Sequence, residues 1–291
     1  MKRKIVFAEA RKKLHKVLVE REILTFDPLG VASNADRKND FSCAIAKRIA
    51  AKLGARTIKK KKKGQTAGVG FEEAVVEFVS ATFPKLQNLR PGNWNVARLG
   101  NKSKTKTADF SQYEHLVYLA DAIRSNPRLQ AALGNDYFVS PDVVVSRGLC
   151  ADSEINKLDC FVDDTICNKA DLRKRNGGKD ILHASISAKW TMRSDRAQNS
   201  RTEALNLMRD RKGRVPHIMV VTAEPSPSRI ASLALGTGDI DCVYHFALYE
   251  LLDAIRKCSS RSRDEAMILL NNMIEGKRLK DISDLPLDLA C

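Results

Sequence analysis

No stretch of the 291 residues approaches the run of about 20 apolar residues that a membrane-spanning helix needs. The N-terminus, MKRKIVFAEARKKLHK, is basic but lacks the apolar core of a secretory signal. Cysteine is sparse. The seven, at positions 43, 150, 160, 167, 242, 258 and 291, are odd in number, scattered, and contain no C-x-x-C pair. That argues against a disulfide framework and fits reduced thiols in a cytoplasm. Cys242 and His245 have the spacing of half a zinc site, but no second half lies at ligand spacing, so both read as core residues. No internal repeat is present. Acidic residues are also short: 35 Asp and Glu against 50 Lys and Arg leave a net charge of +15. A positive field of that size favours polyanions, nucleic acid among them, and is silent on specificity.

What is present is ample apolar material, 43% of the chain, enough for one large domain or two small ones. Residues 4–22 have the helical period, with Val6, Leu14, Val17 and Leu18 as the inward stripe. A turn at Asp27-Pro28-Leu29-Gly30 leads into a polar loop ending in Asp36, then a helix over about 39–53. Asp36 fits a turn former, an N-cap or a base contact, and local physics favours the first two. Five lysines at 59–63 and the Gly64–Gly68 stretch read as a solvated loop in which Gln65 can reach a groove edge. A helix over about 70–83 buries Phe71, Ala74, Val75 and Phe78 and leaves Glu72 at the border of that stripe. Residues 85–108 read as an irregular basic loop. Helices are expected at about 110–124 and 127–133, and a strand from Tyr137 to Val145 with Pro141 marking an irregular start.

The polar stretch 148–180 reads as an excursion between two core strands. Beyond the next strand and helix, Val215 to Thr222 is a near-continuous apolar run, the pattern of a strand buried on both faces. A short helix carrying Arg229, a strand at Cys242 to Tyr244, helices at about 246–257 and 263–275, and a tail complete the chain. Helices, then strands alternating with helices, predict an α/β fold around a mixed central sheet.

The richest stretch is His183 to Glu203. Alternation puts Ile186, Ala188 and Trp190 on one face of a strand and Ser187 and Lys189 on the other. Three residues on come Arg193, Ser194, Asp195 and Arg196, with Ser194 placed to cap a helix that continues through Ala204, Leu205, Leu207 and Met208. Arginine pairs bidentately with guanine and a carboxylate accepts from cytosine, so this helix start suits consecutive G·C pairs. Taken alone, the helix start reads first as a surface helix with an ion pair, and Ser-x-Lys alone reads first as packing. The combination with Asp142 and Glu203 weighs more. Two carboxylates and an ammonium at strand ends suit a magnesium ion and a phosphodiester.

These residues, Pro141-Asp142, Ser187-Ala188-Lys189, Arg193 to Arg196 and Glu203, together with HASIS-KWT-RSDRAQN, RKGR-PHI-VVTAEP and GKRLKDISDLPLDLA around them, carry a resemblance. The chain resembles the type II restriction endonucleases of the PD-(D/E)XK superfamily, in the CCGG-reading branch with a displaced glutamate. The likeness covers almost the whole chain and is strongest over about 181–290.

The resemblance implies a restriction-endonuclease-like mixed sheet flanked by helices, in one endonuclease domain spanning 1–291. It implies Mg²⁺ bound by Asp142 and Glu203, with Glu72 assisting, Lys189 as the catalytic lysine, and Ser187 standing where the superfamily usually has an acid. It implies that Arg193, Ser194, Asp195 and Arg196 meet the inner CCGG, Asp36 and Arg229 the outer G·C pair, and Gln65 the minor groove. The implied target is double-stranded GCCGGC, cut after the first G to leave a 5′ CCGG overhang. Implied too are a homodimer and homotetramer with contacts through 148–180, a cognate methyltransferase in the same bacterial cytoplasm, and no membrane partner. Repair and recombination nucleases share such folds, and a basic scaffold would share the charge. The Arg/Asp/Arg helix favours intrinsic base reading.

Overall fold

Residues 143–146 and 218–222 are buried on both faces, and such runs sit inside a sheet covered on both sides. The computed structural model, which describes residues 4–59, 64–100, 104–133, 141–192, 194–236, 238–259 and 262–291, places them so. In chain order the elements are α1 (Val6–Glu20), β1 (Thr25–Phe26), α2 (Asp40–Lys52), β2 (Arg56–Thr57), α3 (Gly64–Thr82), β3 (Trp94–Arg98), α4 (His115–Ser125), α5 (Pro127–Leu133), β4 (Val143–Arg147) and α6 (Asp152–Ile155). Then follow β5 (Ile181–Lys189), α7 (Ser194–Asp210), β6 (His217–Thr222), α8 (Pro227–Ala234), β7 (Cys242–His245), α9 (Leu248–Arg256), α10 (Ser262–Glu275), β8 (Leu279–Asp281) and α11 (Leu285–Asp288).

Six strands form a mixed sheet in the order β3-β4-β5-β6-β7-β8, flanked by helices, so the fold is α/β as the pattern predicts. β3 pairs with β4 and β4 with β5 antiparallel, while β5 to β8 are parallel and joined by helical crossovers. β1 and β2 make a separate parallel pair. One apolar core runs from Leu14 to Leu289. The first helix is tied to the end of the chain: Arg11 pairs with Asp281 at 2.9 Å and with Glu250, and His15 Nε2 lies 2.8 Å from the carbonyl of Phe246.

The sequence pattern misses in four places. The glycine stretch at 64–68 lies within α3 rather than in a loop, because Ala67 packs on the core one turn before Phe71 and extends the same stripe. Gly70 lets that helix approach α1's exit closely, since a Cβ there would fall 2.7 Å from Ile23 Cδ1. The stretch 85–108 contains β3, and the expected tail contains β8. Both are short edge strands whose polar residues hide the alternation. Val6 is exposed, whereas Leu14 and Leu18 are buried as expected.

Asn39 caps α2 through its side chain (2.9 Å to Ser42 N), and Asp27 Oδ1 accepts from the amides of Leu29 and Val31 in the 27–30 turn. Cys242 and His245 are core residues, and burial lowers the His245 pKa to about 4. The 148–180 excursion does lie between β4 and β5. It folds around one buried guanidinium: Arg173 makes two 2.7 Å bonds to Asp152 and donates to the carbonyls of Ile166 and Asp163, also at 2.7 Å.

Candidate active site

The β4–β5 register sets Val143 against Ile186, which brings Asp142, one residue earlier, alongside Ser187 and Ala188. Asp142 Oδ2 accepts from the Ala188 amide at 2.9 Å and from Lys189 Nζ at 2.8 Å. Strand alternation puts Ser187 on the same face as Lys189. The Ser187 hydroxyl makes long contacts to Asp142 Oδ2 (3.4 Å) and Glu203 Oε2 (3.5 Å), and a 3.2 Å bond with Ser200. Ser200 and Glu203 are three apart on α7 and so share a face. The lysine's own backbone is pinned: its carbonyl accepts from Thr222 Oγ1 at 2.9 Å and from Ala223 N at 3.2 Å. Asp142 at the entry to β4, Ser187 and Lys189 on β5, and Glu203 on α7 therefore meet.

The electrostatics follow from burial and crowding. Burial alone would lower the Lys189 pKa, but the carboxylates of Asp142, Glu203 and Glu72 outweigh it and hold the value above the ordinary one. Burial pushes Glu203 up to about 7, with Asp142 adding and Lys189 opposing. Glu72, on α3, is also raised, first by burial and then by Asp142. It makes no direct bond to the cluster. Its partner is Arg98 on β3, whose Nε donates to Oε2 at 2.6 Å.

Among the described residues, no three His, Cys, Asp or Glu side chains already stand at metal-holding distances. The donor set nevertheless fits a hard divalent cation. All three acids offer oxygen, and the ammonium, amide and hydroxyl contacts of Asp142 all fall on Oδ2, leaving Oδ1 without a protein donor among the described residues. An ion that keeps most of its waters needs only one or two such carboxylates.

A second cluster lies at the ends of β6 and α8. Asp36 and Arg229, 193 positions apart, form an ion pair. Buried Asn34 positions the Asp36 loop by donating 2.8 Å to the carbonyl of Ala223. Sequence reasoning missed the residue that organises this corner, Glu224. It is fully buried, accepts from Met192 N at 2.7 Å and Ser226 N at 3.1 Å, and faces Arg229 at 3.8 Å. Burial raises its pKa. The available signal was an acid directly after an apolar strand. Arg98 and Ser200 were missed as well. Ser194, Asp195 and Arg196 form the first turn of α7, so Ser194 starts the helix rather than preceding it, and Gln65 lies in the first turn of α3. The side chains of these four, Arg193 as a whole and Lys60 to Lys63 lie outside the described residues.

Comparison with known proteins gives three findings. A family model described as "NgoMIV restriction enzyme" matches residues 14–291. A protein named "Type II restriction enzyme NgoMIV" from Neisseria gonorrhoeae is 54% identical over 285 residues, covering 98% of this chain and 99% of that one. A solved chain described as "Restriction endonuclease PspGI-substrate DNA complex" aligns over 98% of this chain and 92% of its own at 12% identity, with a TM-score of 0.30, too loose to inform the fold.

Proposed function

Because the chain belongs to the NgoMIV restriction enzyme family, and so is a type II site-specific deoxyribonuclease, we propose that Asp142, Lys189, Glu203, Glu72 and Ser187 form its catalytic set. The substrate in this reading is double-stranded GCCGGC, cleaved after the first G. The supporting observation is the 2.8 Å contact of Lys189 with Asp142, where Ser187 also reaches Glu203. Asp142 and Glu203 would hold Mg²⁺, with Glu72 assisting. When bound, the ion supplies positive charge at the scissile phosphate and acidifies a coordinated water. Lys189, held protonated, orients a phosphate oxygen or the attacking water. Ser187 spaces the two carboxylates, and Arg98 fixes Glu72.

Arg193, Ser194, Asp195 and Arg196 would read the inner CCGG from the start of α7, Asp36 and Arg229 the outer pair, and Gln65 the minor groove. A palindrome matches a two-fold dimer, and 148–180 would carry the contacts that build a tetramer. The chain then acts as one unit, in a bacterial cytoplasm where a cognate methyltransferase protects the host's own sites.

Digestion of a plasmid of known sequence, followed by mapping of the ends, tests the whole reading. Four-base 5′ CCGG overhangs are expected with Mg²⁺, and none with chelator. Ends at other sequences would refute the specificity.

Glu203 adds a pH prediction. A proton on this carboxyl excludes a cation, so at subsaturating Mg²⁺ cleavage should rise through about pH 7. More Mg²⁺ should move the midpoint down, because ion and proton compete. A midpoint indifferent to Mg²⁺ and unchanged in Glu203→Gln would remove Glu203 from the ion site.

A further inference from the structure

A cavity of about 440 Å³ lies beside the early residues of β5 and β6, with His183 and His217 in its wall. His183 and Lys189 are six residues apart on one strand, about 20 Å at ~3.3 Å per residue. The cavity is thus at the far end of the sheet from Asp142 and Lys189, and none of the proposed catalytic or base-reading residues lines it.

Its wall is rich in cations. Arg90 and Arg147, half-buried, and Lys212 and Arg214, exposed, all line it; none makes a side-chain hydrogen bond or close ion pair among the described residues, Lys212 acting only through space on Asp210 and Arg147 lying against a ring. Lys179, also in the wall, donates to the carbonyl of Ala108 at 2.7 Å. The two acids of the rim, Glu114 and Asp171, pair with none of these cations. The Nε atoms of Arg90 and Arg147 are buried with no acceptor. A charged donor buried without a partner carries a desolvation cost that a bound acceptor relieves. The cations are also close enough to act on the imidazoles: His183 is held down at about 4, chiefly by burial, with Arg90 and Arg214 pushing the same way. Burial lowers His217 as well, with Asp241 opposing and Arg90 and Arg214 acting in the same direction as burial.

Apart from Ser111 and Gln112, the rest of the wall is mainly apolar and aromatic. The Arg147 guanidinium lies 5.8 Å over the Trp94 ring, which packs against His183 with centroids 4.6 Å apart. Leu172, Ile181, Leu182 and Val215 also line the cavity. The volume lies within the range of small-molecule sites. A bare inorganic anion would satisfy the cations and leave the apolar wall uncovered.

We infer that this cavity is a second binding site, taking a small organic phosphate of the nucleotide class, with its phosphates on Arg90, Arg147, Lys212 and Arg214 and its ring system against the Trp94 side. Guanidinium groups suit phosphate oxygens because their donors match them in pairs. The inference does not rest on the nuclease reading.

Calorimetric titration of the full chain with ADP, in chelator and without DNA, tests it. One ADP per chain should bind, with adenosine and inorganic phosphate each weaker by about tenfold or more. Arg90→Gln and Arg214→Gln should each weaken ADP by about tenfold while leaving plasmid cleavage within about twofold; circular dichroism melts establish that both fold. Absence of ADP binding at millimolar concentration overturns the inference, as does equal binding in wild type and both variants. Displacement of ADP by a duplex lacking the target would reassign the cavity to DNA backbone. A changed oligomeric state in the variants without ADP binding would reassign it to a contact between copies. Either result sinks the small-ligand site.

Discussion

Asp142→Ala and Lys189→Ala should each slow Mg²⁺-dependent cleavage of a GCCGGC duplex by about 10³-fold or more, the scale seen when one preorganised charge is removed from a reacting centre. The two losses have different physical origins. Asp142 is where the Ala188 amide, the Lys189 ammonium and the Ser187 hydroxyl converge. Its removal takes away the anionic anchor and leaves the ammonium facing only Glu203 and Glu72. Removal of Lys189 leaves three acids in a half-buried pocket without their cation, so the pKa values of Glu203 and Glu72, already raised, climb further. Lys189→Ala should therefore keep some cleavage at high pH and high Mg²⁺, whereas Asp142→Ala should not. The effects should fall far short of additive in the double variant, because the residues act as a unit. Single-turnover cleavage with pre-bound duplex separates these losses from binding. A variant that cuts at the wild-type rate would dismiss its residue from the site.

Glu224→Ala should cost about 10²-fold in cognate cleavage and also lower the melting temperature. The carboxylate bonds the amide of Met192, just ahead of α7, and that of Ser226, just ahead of α8. One side chain thus spaces the two segments that carry the proposed base-reading residues, and a shift of about 1 Å at such a position is enough for a loss of that size. Two buried amides would also lose their acceptor, at about 1–3 kcal/mol each. Glu224→Gln keeps one acceptor oxygen, so it should recover part of the stability. The decisive readout is discrimination: cleavage at sites differing by one base pair should rise relative to GCCGGC in both variants. A melting-temperature loss with unaltered discrimination would make Glu224 a purely structural residue.

The sheet's centre was legible because β5 and β6 obey simple rules, alternation in one and an unbroken apolar run in the other. The meeting of Asp142 with Lys189 was legible only in combination, since each dipeptide alone is as readily a turn or packing. The edge strands β3 and β8 were not, because backbone pairing with a neighbour, rather than side-chain pattern, makes them strands. The start of α3 was hidden by Gly64 and Gly68, which local preference assigns to a loop and which packing of Ala67 assigns to a helix. Glu224 escaped because its role is to bond backbone amides from two loops, a relation that no spacing along the chain encodes.

The excursion between β4 and β5 closes on itself. Its stem is zipped by Cys150 N to the carbonyl of Leu172 (2.8 Å) and Lys174 N to the carbonyl of Cys150 (2.9 Å), and its interior is gathered on Arg173. An arm built this way is mechanically insulated: substitutions beyond the stem can reshape what it touches outside without pulling on the strands that carry Asp142 and Lys189. Its surface and the proposed nuclease centre can therefore drift at separate rates.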